Sequence, residues 1–130
     1  MDNEFKIEII SPEKVIFSDV VSMATLPSYE GEMSILKDHI SIITFLRPGI
    51  LKINKKNDTE KFFVQDGTIE FFNNNLVILT ASAQNLKDFS KEFLEILEKE
   101  TQDKLLDKDI SDHDRYILNH KLDALKEIRT

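Results

Sequence analysis

Histidines and carboxylates are the side chains of this sequence best suited to chemistry near neutral pH. The chain has three histidines and no cysteine, so a metal or acid–base site would use imidazole, carboxylate or hydroxyl groups. His113 lies between Asp112 and Asp114. On a helix these two carboxylates would point about 200° apart, so both could not bind an ion held by His113. We predict a solvated helix start here and no metal site.

His39 is placed differently, in the loop Lys37-Asp38-His39 between two predicted strands. We favour a turn histidine that hydrogen-bonds the backbone over a proton-handling role. The serines have no nucleophile-elbow motif, and three isolated glycines cannot form a phosphate-binding loop. The sequence therefore predicts no catalytic residues.

Composition limits the classes of partner. Lysine and arginine number 17 and aspartate and glutamate 24, a net charge of −7, which argues against nucleic acid because phosphate binding needs a basic surface. The absence of cysteine favours a reducing compartment. The longest apolar runs, such as Ile40 to Leu46, are too short to span a bilayer. The start, Met-Asp-Asn-Glu, is acidic where a signal peptide would be basic. We expect a cytoplasmic-type chain without direct membrane insertion.

The character of the sequence changes near Asn85. All three glycines and all three prolines precede this position, and none follows it. An apolar half interrupted by glycine and proline, followed by a charged half without them, indicates strands and then helices. We therefore predict an all-β sandwich over residues 1–85 and an antiparallel two-helix hairpin over residues 86–130, α+β overall.

Roughly nine short strands are expected in the first half. Phe5, Ile7 and Ile9 alternate with charged residues, the period of a half-buried strand. Pro48-Gly49 fits the centre of a type II turn, and the other turns are expected at Asp66-Gly67 and at Asn73 to Asn75. The predicted strands lie at Phe5–Ile9, Val15–Phe17, Val20–Leu26, Met33–Leu36, Ile40–Leu46, Ile50–Ile53, Phe62–Val64, Thr68–Phe72 and Leu76–Thr80. So many short strands between turns predict a two-sheet antiparallel sandwich.

Two amphipathic helices are expected in the second half, with a break at residues 104–111. Asn85 and Asp88 can cap the first, and Ser111 and Asp114 the second. The first apolar stripe is Leu86, Phe89, Phe93 and Leu97, beside Ile96, and the second is Leu118, Leu122 and Leu125, flanked by Ile117 and Ile128. Neither helix would be stable alone in water, so each must pack on a partner.

The order of several motifs resembles the epsilon subunit of the F-type rotary ATP synthase. They are Glu30-Gly31-Glu32-Met33, His39, Arg47-Pro48-Gly49, Phe62-Phe63-Val64 with Asp66-Gly67, and Leu76 to Ala81. The resemblance implies a non-catalytic rotor subunit of the central stalk. It would lie at the cytoplasmic face of the inner (plasma) membrane and couple proton flow to ATP synthesis.

The resemblance also implies partners. They are the gamma subunit, the ring of c subunits and, conditionally, the alpha/beta catalytic head, whose activity the hairpin could change. The contact residues that it implies for gamma and the ring are Glu32, Met33, Asp38, His39, Phe45 and Pro48.

Some members of this family bind ATP between sandwich and hairpin through an Asp-x-x-Arg-Ala motif. Asp112 and Arg115 match, but Tyr116 replaces the alanine, and Leu122 stands where a cation is expected. Asp114 and Asp123 add negative charge that a triphosphate would repel. We favour an ordinary helix surface, and we expect no cofactor, with ATP only as a disfavoured regulatory ligand.

Two other kinds of function fit the composition. One is a ligand-binding or enzymatic sandwich with a helical lid, and the other is a generic protein-interaction adaptor. Inward positions such as Ile7, Met23, Ile42 and Val64 are apolar, which argues against an internal polar pocket. Copurification with alpha, beta and gamma chains would separate a rotor subunit from an adaptor.

Overall fold

The computed structural model describes residues 3–129. The acidic start at Met1 and Asp2 and the far end of the predicted hairpin, residue 130, lie outside the described residues. The strands are β1 Phe5–Ile10, β2 Val15–Val21, β3 Met23–Ser28, β4 Gly31–Ile35, β5 Ile42–Leu46, β6 Gly49–Lys55, β7 Asp58–Val64, β8 Gly67–Phe72, β9 Asn75–Leu79 and β10 Ala83–Asn85. The helices are α1 Lys91–Leu105 and α2 Asp112–Arg129, preceded by a short 3-10 turn at Leu86–Asp88.

The strands form two layers of a sandwich that share one hydrogen-bonded path. One layer contains β10, β7, β6 and β3, with β4 paired to β3, and the other contains β5, β8, β9, β1 and β2. A single pairing, Ser28 with Leu46, joins β3 to β5 between the layers. The predicted sandwich and helix pair are confirmed. The described residues form ten strands instead of nine. The sandwich was predicted to be antiparallel, but β1 and β9 pair in parallel.

Alternation along the strands builds the core. In β1, Phe5, Ile7 and Ile9 are buried, as predicted. Residues from both layers complete one cluster: Val21, Ala24, Leu26, Ile35, Leu46, Leu51, Ile53, Phe62, Val64, Ile69, Phe71, Leu76 and Ile78. Burial of these side chains, each stabilising by about 1.5–3 kcal/mol, is the main force that holds the layers together.

The turns follow local chemistry with one exception. Asn73 and Asn74 have φ of 56° and 61°, the two left-handed positions of a two-residue hairpin turn. Gly31 and Gly67 also have positive φ. The predicted type II turn at Pro48-Gly49 is wrong, because Gly49 is not among the positive-φ glycines and begins β6. Its requirement for glycine is steric instead, since a Cβ there would lie 2.5 Å from Cβ of Pro27.

The first helix begins later than predicted. The Asn85 side chain caps only the 3-10 turn, whereas Ser90 caps α1 by accepting a hydrogen bond from the Phe93 N–H at 3.0 Å. Phe89, between them, is extended. The residues before it are therefore out of phase with α1, whose buried face is Leu94, Glu98 and Thr101. Of the predicted apolar stripe, Leu86, Phe89 and Leu97 are partly buried, whereas Phe93 is 37% and Ile96 55% exposed.

The second helix begins as predicted, because the Ser111 Oγ accepts a hydrogen bond from the Asp114 N–H at 3.0 Å. Its buried residues are Ala124 and Leu125. They meet Leu94 of α1 and Phe63 of β7 in a second, smaller cluster that fastens the hairpin to the sandwich. The division into domains at residue 85 stays a prediction, although the last strand ends at Asn85.

A pair of glycine substitutions tests the packing at the β7–β8 turn. Gly67 has φ of +139°, and a Cβ there would strike the carbonyl of Leu79, whereas Gly31 has φ of +124° and open space around it. We expect Gly31→Ala to cost about 1–3 kcal/mol of backbone strain. Gly67→Ala should cost about 1–3 kcal/mol more, because the β9 backbone must move. Urea unfolding of both variants measures the difference, and equal losses would contradict the steric argument.

Candidate functional site

One surface of the sandwich carries large apolar side chains that nothing in the described chain covers. It is the outward side of β5, β8, β9, β1 and β2, where alternate residues point away from the core. Ile43 is 75% exposed, Phe72 63% and Phe45 58%. We call this surface the outer apolar face, formed by Val15, Val20, Ile43, Phe45, Phe72 and Leu79.

The face is continuous across the layer at one end. The strand registers place Phe45 beside Thr68, Thr68 beside Leu79, and Leu79 beside Ile10, which is paired with Val15. An open hollow of about 680 Å³ lies over this row, with Pro12 and Ala81 at its border. Isolated exposed apolar residues are ordinary, but a row across five strands is typical of an interaction surface.

The loop with Asp38 and His39 lies at the other end of the sandwich. Asp38 has φ of 66°, and its N–H donates to the Asn74 side chain at 2.7 Å, while the Asn74 amide returns a bond of 3.0 Å to the Asp38 carboxylate. His39 Nδ1 lies 2.7 Å from the carbonyl oxygen of Ile40. The predicted backbone hydrogen bond of this turn histidine is therefore present.

The six contact residues implied by the resemblance do not form one surface. Asp38 contacts Asn74 beyond the end of β8, whereas Phe45 pairs with Thr68 at its start, so a whole strand separates them. Met33 packs partly on the core. Pro48 is buried and, together with exposed Glu32, lines a groove under α2, so its place on a contact surface stays a prediction.

This groove, of about 540 Å³, lies between the sandwich and α2. Its charges are mixed. Arginine and lysine contribute from β6, β7 and the loop before β6, and carboxylates contribute from β4 and α2. The ionisable residues that line it are Glu32, Arg47, Lys52, Lys61, His120, Asp123 and Glu127. With three cations against three carboxylates, the groove does not present the strongly positive field that a polyanion requires.

At the end of the groove a polar cluster connects α2 to the sandwich. The Arg47 Nη1 donates to the Tyr116 hydroxyl at 3.4 Å and to His120 Nε2 at 3.5 Å, and the Tyr116 hydroxyl donates to the carbonyl of Tyr29 at 3.2 Å. We call Tyr29, Arg47, Tyr116 and His120 the clasp. Burial, and then the nearby Arg47 guanidinium, lower the pKa of His120, while Asp123 opposes them more weakly.

An ion pair near the end of α2 joins the two helices of the hairpin. The Arg129 Nη2 lies 3.1 Å from Oε2 of Glu98, whose side chain is only 7% exposed. The second carboxylate oxygen, Oε1, is buried without a hydrogen-bond partner. A buried carboxylate with one of two oxygens satisfied depends strongly on its single partner. The packing of α1 against α2 is therefore sensitive to the position of Arg129.

Comparison with known proteins assigns the chain to a family. Residues 4–86 match the model of the ATP synthase Delta/Epsilon chain beta-sandwich domain. The chain belongs to the ATP synthase epsilon family. The epsilon chain of Pelagibacter ubique is 46% identical over 129 residues, covering 98% of this chain and 99% of the relative. Epsilon chain 2 of Nitrobacter hamburgensis is 32% identical, with 97% and 92% covered.

Solved structures agree on the fold. A chain of the Euglena gracilis mitochondrial ATP synthase (OSCP/F1/c-ring) superimposes with a TM-score of 0.81 at 19% identity, covering 100% of this chain and 84% of that one. A chain of the Tetrahymena thermophila mitochondrial ATP synthase central stalk and c-ring gives 0.62 at 17% identity, with 96% of both covered. At these identities the likeness concerns the fold.

The degenerate epsilon-family ATP motif lies away from the groove. Asp112 and Arg115 are exposed in the first turn of α2, and neither lines the groove, whose α2 side begins at His120. The ring of His113 instead lies 6.3 Å from that of Tyr29. Among residues 3–129, no three histidine, aspartate or glutamate side chains are grouped as metal ligands would be.

Sequence reasoning did not single out the outer apolar face by its residues or find the clasp. A signal for the face was present, because β9 contains the uninterrupted run Leu76-Val77-Ile78-Leu79. Such a run predicts a strand covered on both sides. The clasp had no local signal, since Arg47 and His120 are 73 residues apart.

The ion pair at the end of the hairpin can be tested by a double-mutant cycle. Arg129→Gln leaves the Glu98 carboxylate buried and unpaired, so we expect the free energy of unfolding to fall by about 1–2 kcal/mol. This value is smaller than for a fully buried pair because Arg129 is half-exposed and solvent screens it. Adding Glu98→Gln should recover part of this loss because the buried charge is removed. Urea unfolding gives these values, and exposed Arg115→Gln on the same helix is the control. A loss in Arg129→Gln no larger than in the control would refute the pair's importance.

Proposed function

We propose that this epsilon-family chain is a non-catalytic subunit of the central stalk of an ATP synthase and binds the gamma subunit through the outer apolar face. The main observation behind this proposal is the row of exposed Phe45, Leu79 and Val15 with half-buried Ile10 between the last two. In water such a row favours burial by about 25 cal/mol per Å² of apolar surface removed. Family membership supports gamma as the partner, since the Tetrahymena relative lies in a central stalk assembly.

Contact with the c-subunit ring is proposed for the loop of Asp38 and His39 and for Glu32. The loop supports this role because it is rigid: the Asp38–Asn74 bonds hold it against the β8–β9 turn. Such a polar, ordered edge suits the polar loops of a ring. Glu32 is exposed on β4 and would join this contact only if the ring also reached the groove side.

The proposed role requires a partner to reach the membrane. No helix within residues 3–129 is long and apolar enough to cross a bilayer. We propose a peripheral position on the cytoplasmic face, held through gamma and the ring. Coupling of proton flow to ATP synthesis would then depend on rigid contacts of the sandwich, and catalysis itself would belong to the alpha and beta subunits.

The hairpin, residues 86–130, is proposed as a mobile domain that changes the activity of the catalytic head. Its buried cluster with the sandwich is small, with four buried residues, Phe63, Leu94, Ala124 and Leu125, and five partly buried ones around them, so opening should cost only a few kcal/mol. The hairpin carries 9 basic and 12 acidic residues, a net charge of −3. This charge would oppose docking on an acidic partner, so inhibition of ATP hydrolysis should be weak or conditional.

The gamma contact can be tested by charging the outer apolar face. Leu79→Asp places a carboxylate in the middle of the row, and its burial against gamma without a partner would cost several kcal/mol. We expect at least a tenfold fall in recovery of the chain with alpha, beta and gamma from membranes. The matched control is Ile96→Asp on α1, where the isoleucine is 55% exposed, similar to Leu79 at 49%. Equal recovery of both variants would reject this face, and failure of the native chain to copurify would favour a generic adaptor.

Truncation tests the hairpin. A chain that ends at Asn85 keeps all ten strands and should give the circular dichroism of a folded β protein. Its complex should hydrolyse ATP less than about tenfold faster than the complex with the full chain, corresponding to less than about 1.4 kcal/mol of inhibition. A larger rise would show strong inhibition, and an unfolded truncated chain would reject the proposed domain division.

A further inference from the structure

We propose that the clasp is an acid-weakened catch, which holds the hairpin against the sandwich more tightly while His120 is neutral. The contact between Arg47 and His120 favours this state. The Arg47 guanidinium can only donate, so the His120 Nε2 that it contacts at 3.5 Å must accept, with the imidazole proton on Nδ1. A second proton would remove this acceptor and put two cations in contact.

The surroundings offer little compensation for a charged imidazole. Tyr116, whose ring centre lies 4.5 Å from that of His120, already receives a hydrogen bond from Arg47 and donates to Tyr29. Asp123 is the carboxylate that favours the charged form, and its effect is smaller than those of burial and Arg47. The other charged residues facing the same groove are Glu32, Lys52, Lys61 and Glu127. Their formal charges cancel.

The direction of the pH effect follows from the lowered pKa of docked His120. When α2 leaves the sandwich, His120 loses both burial and Arg47, so its pKa returns towards about 6.5. The undocked form therefore binds the proton more tightly. Docking is fully stable above about pH 6.5 and weakens as the pH falls below that value, by at most about tenfold per pH unit.

Acidification of the compartment would thus make release of the hairpin more frequent. Its effect on ATP hydrolysis rests on the proposed function, but the release itself belongs to the isolated chain. It does not require gamma, the ring or the catalytic head. A failure of the catch in the isolated chain is therefore distinguishable from a failure of the central-stalk proposal, which copurification tests.

Hydrogen exchange of α2 amides measures the release. With rates corrected for intrinsic exchange, we expect the opening constant of α2 in the isolated chain to be larger at about pH 5.5 than at about pH 7.5, by more than about twofold and at most about tenfold. Amides of β8 and β9 should show no such ratio.

Three variants make the test specific. His120→Gln keeps an acceptor for Arg47 but does not titrate. The ratio of its α2 opening constants at the two pH values should therefore be within about twofold of one. Arg47→Gln keeps a donor without the charge, so its ratio should fall between those of His120→Gln and the native chain. His113→Gln, on the same helix but without an arginine contact, should retain the native ratio. A native ratio near one, or a native-like ratio in His120→Gln, would overturn the proposal.

Discussion

The structure depends on strands that are apolar on both sides. In β9, Leu76 and Ile78 are in the core, and Val77 and Leu79 point outward. β5 repeats this arrangement, with exposed Ile43 and Phe45 beside buried Leu46. The inward residues give the sandwich its stability. The outward ones are only partly covered in the single chain, so they are best explained by a surface that another protein covers.

Much of the fold could be predicted from the sequence because its determinants are local. Alternation in β1, asparagines at the β8–β9 turn and Ser111 at the start of α2 each act within a few residues. The errors have non-local causes. Gly49 is required by the approach of Pro27 and not by its own φ, and α1 is out of phase with Leu86 because Phe89 is extended.

The candidate site was less predictable for the same reason. The family resemblance gave six contact residues, but which of them share a surface depends on strand register and on the position of α2, and these place Pro48 under the helix. Tyr29 and Tyr116, 87 residues apart, contact each other only once the hairpin has docked. No spacing rule connects such residues, whereas the apolar run of β9 could have indicated an additional covered face.

The two apolar clusters have different consequences for motion. Sixteen buried residues of the sandwich form one cluster, whereas the hairpin is fixed to the sandwich by a cluster of four buried residues with partly buried ones around it and by the polar contacts of the clasp. An apolar contact is nearly insensitive to pH, but the clasp and the Glu98–Arg129 pair respond to the charge state or position of one side chain. A rigid sandwich can therefore stay bound to a partner while the hairpin opens. The sandwich can bind and the hairpin can move independently because a large apolar core stabilises the first, whereas a small cluster and polar contacts hold the second.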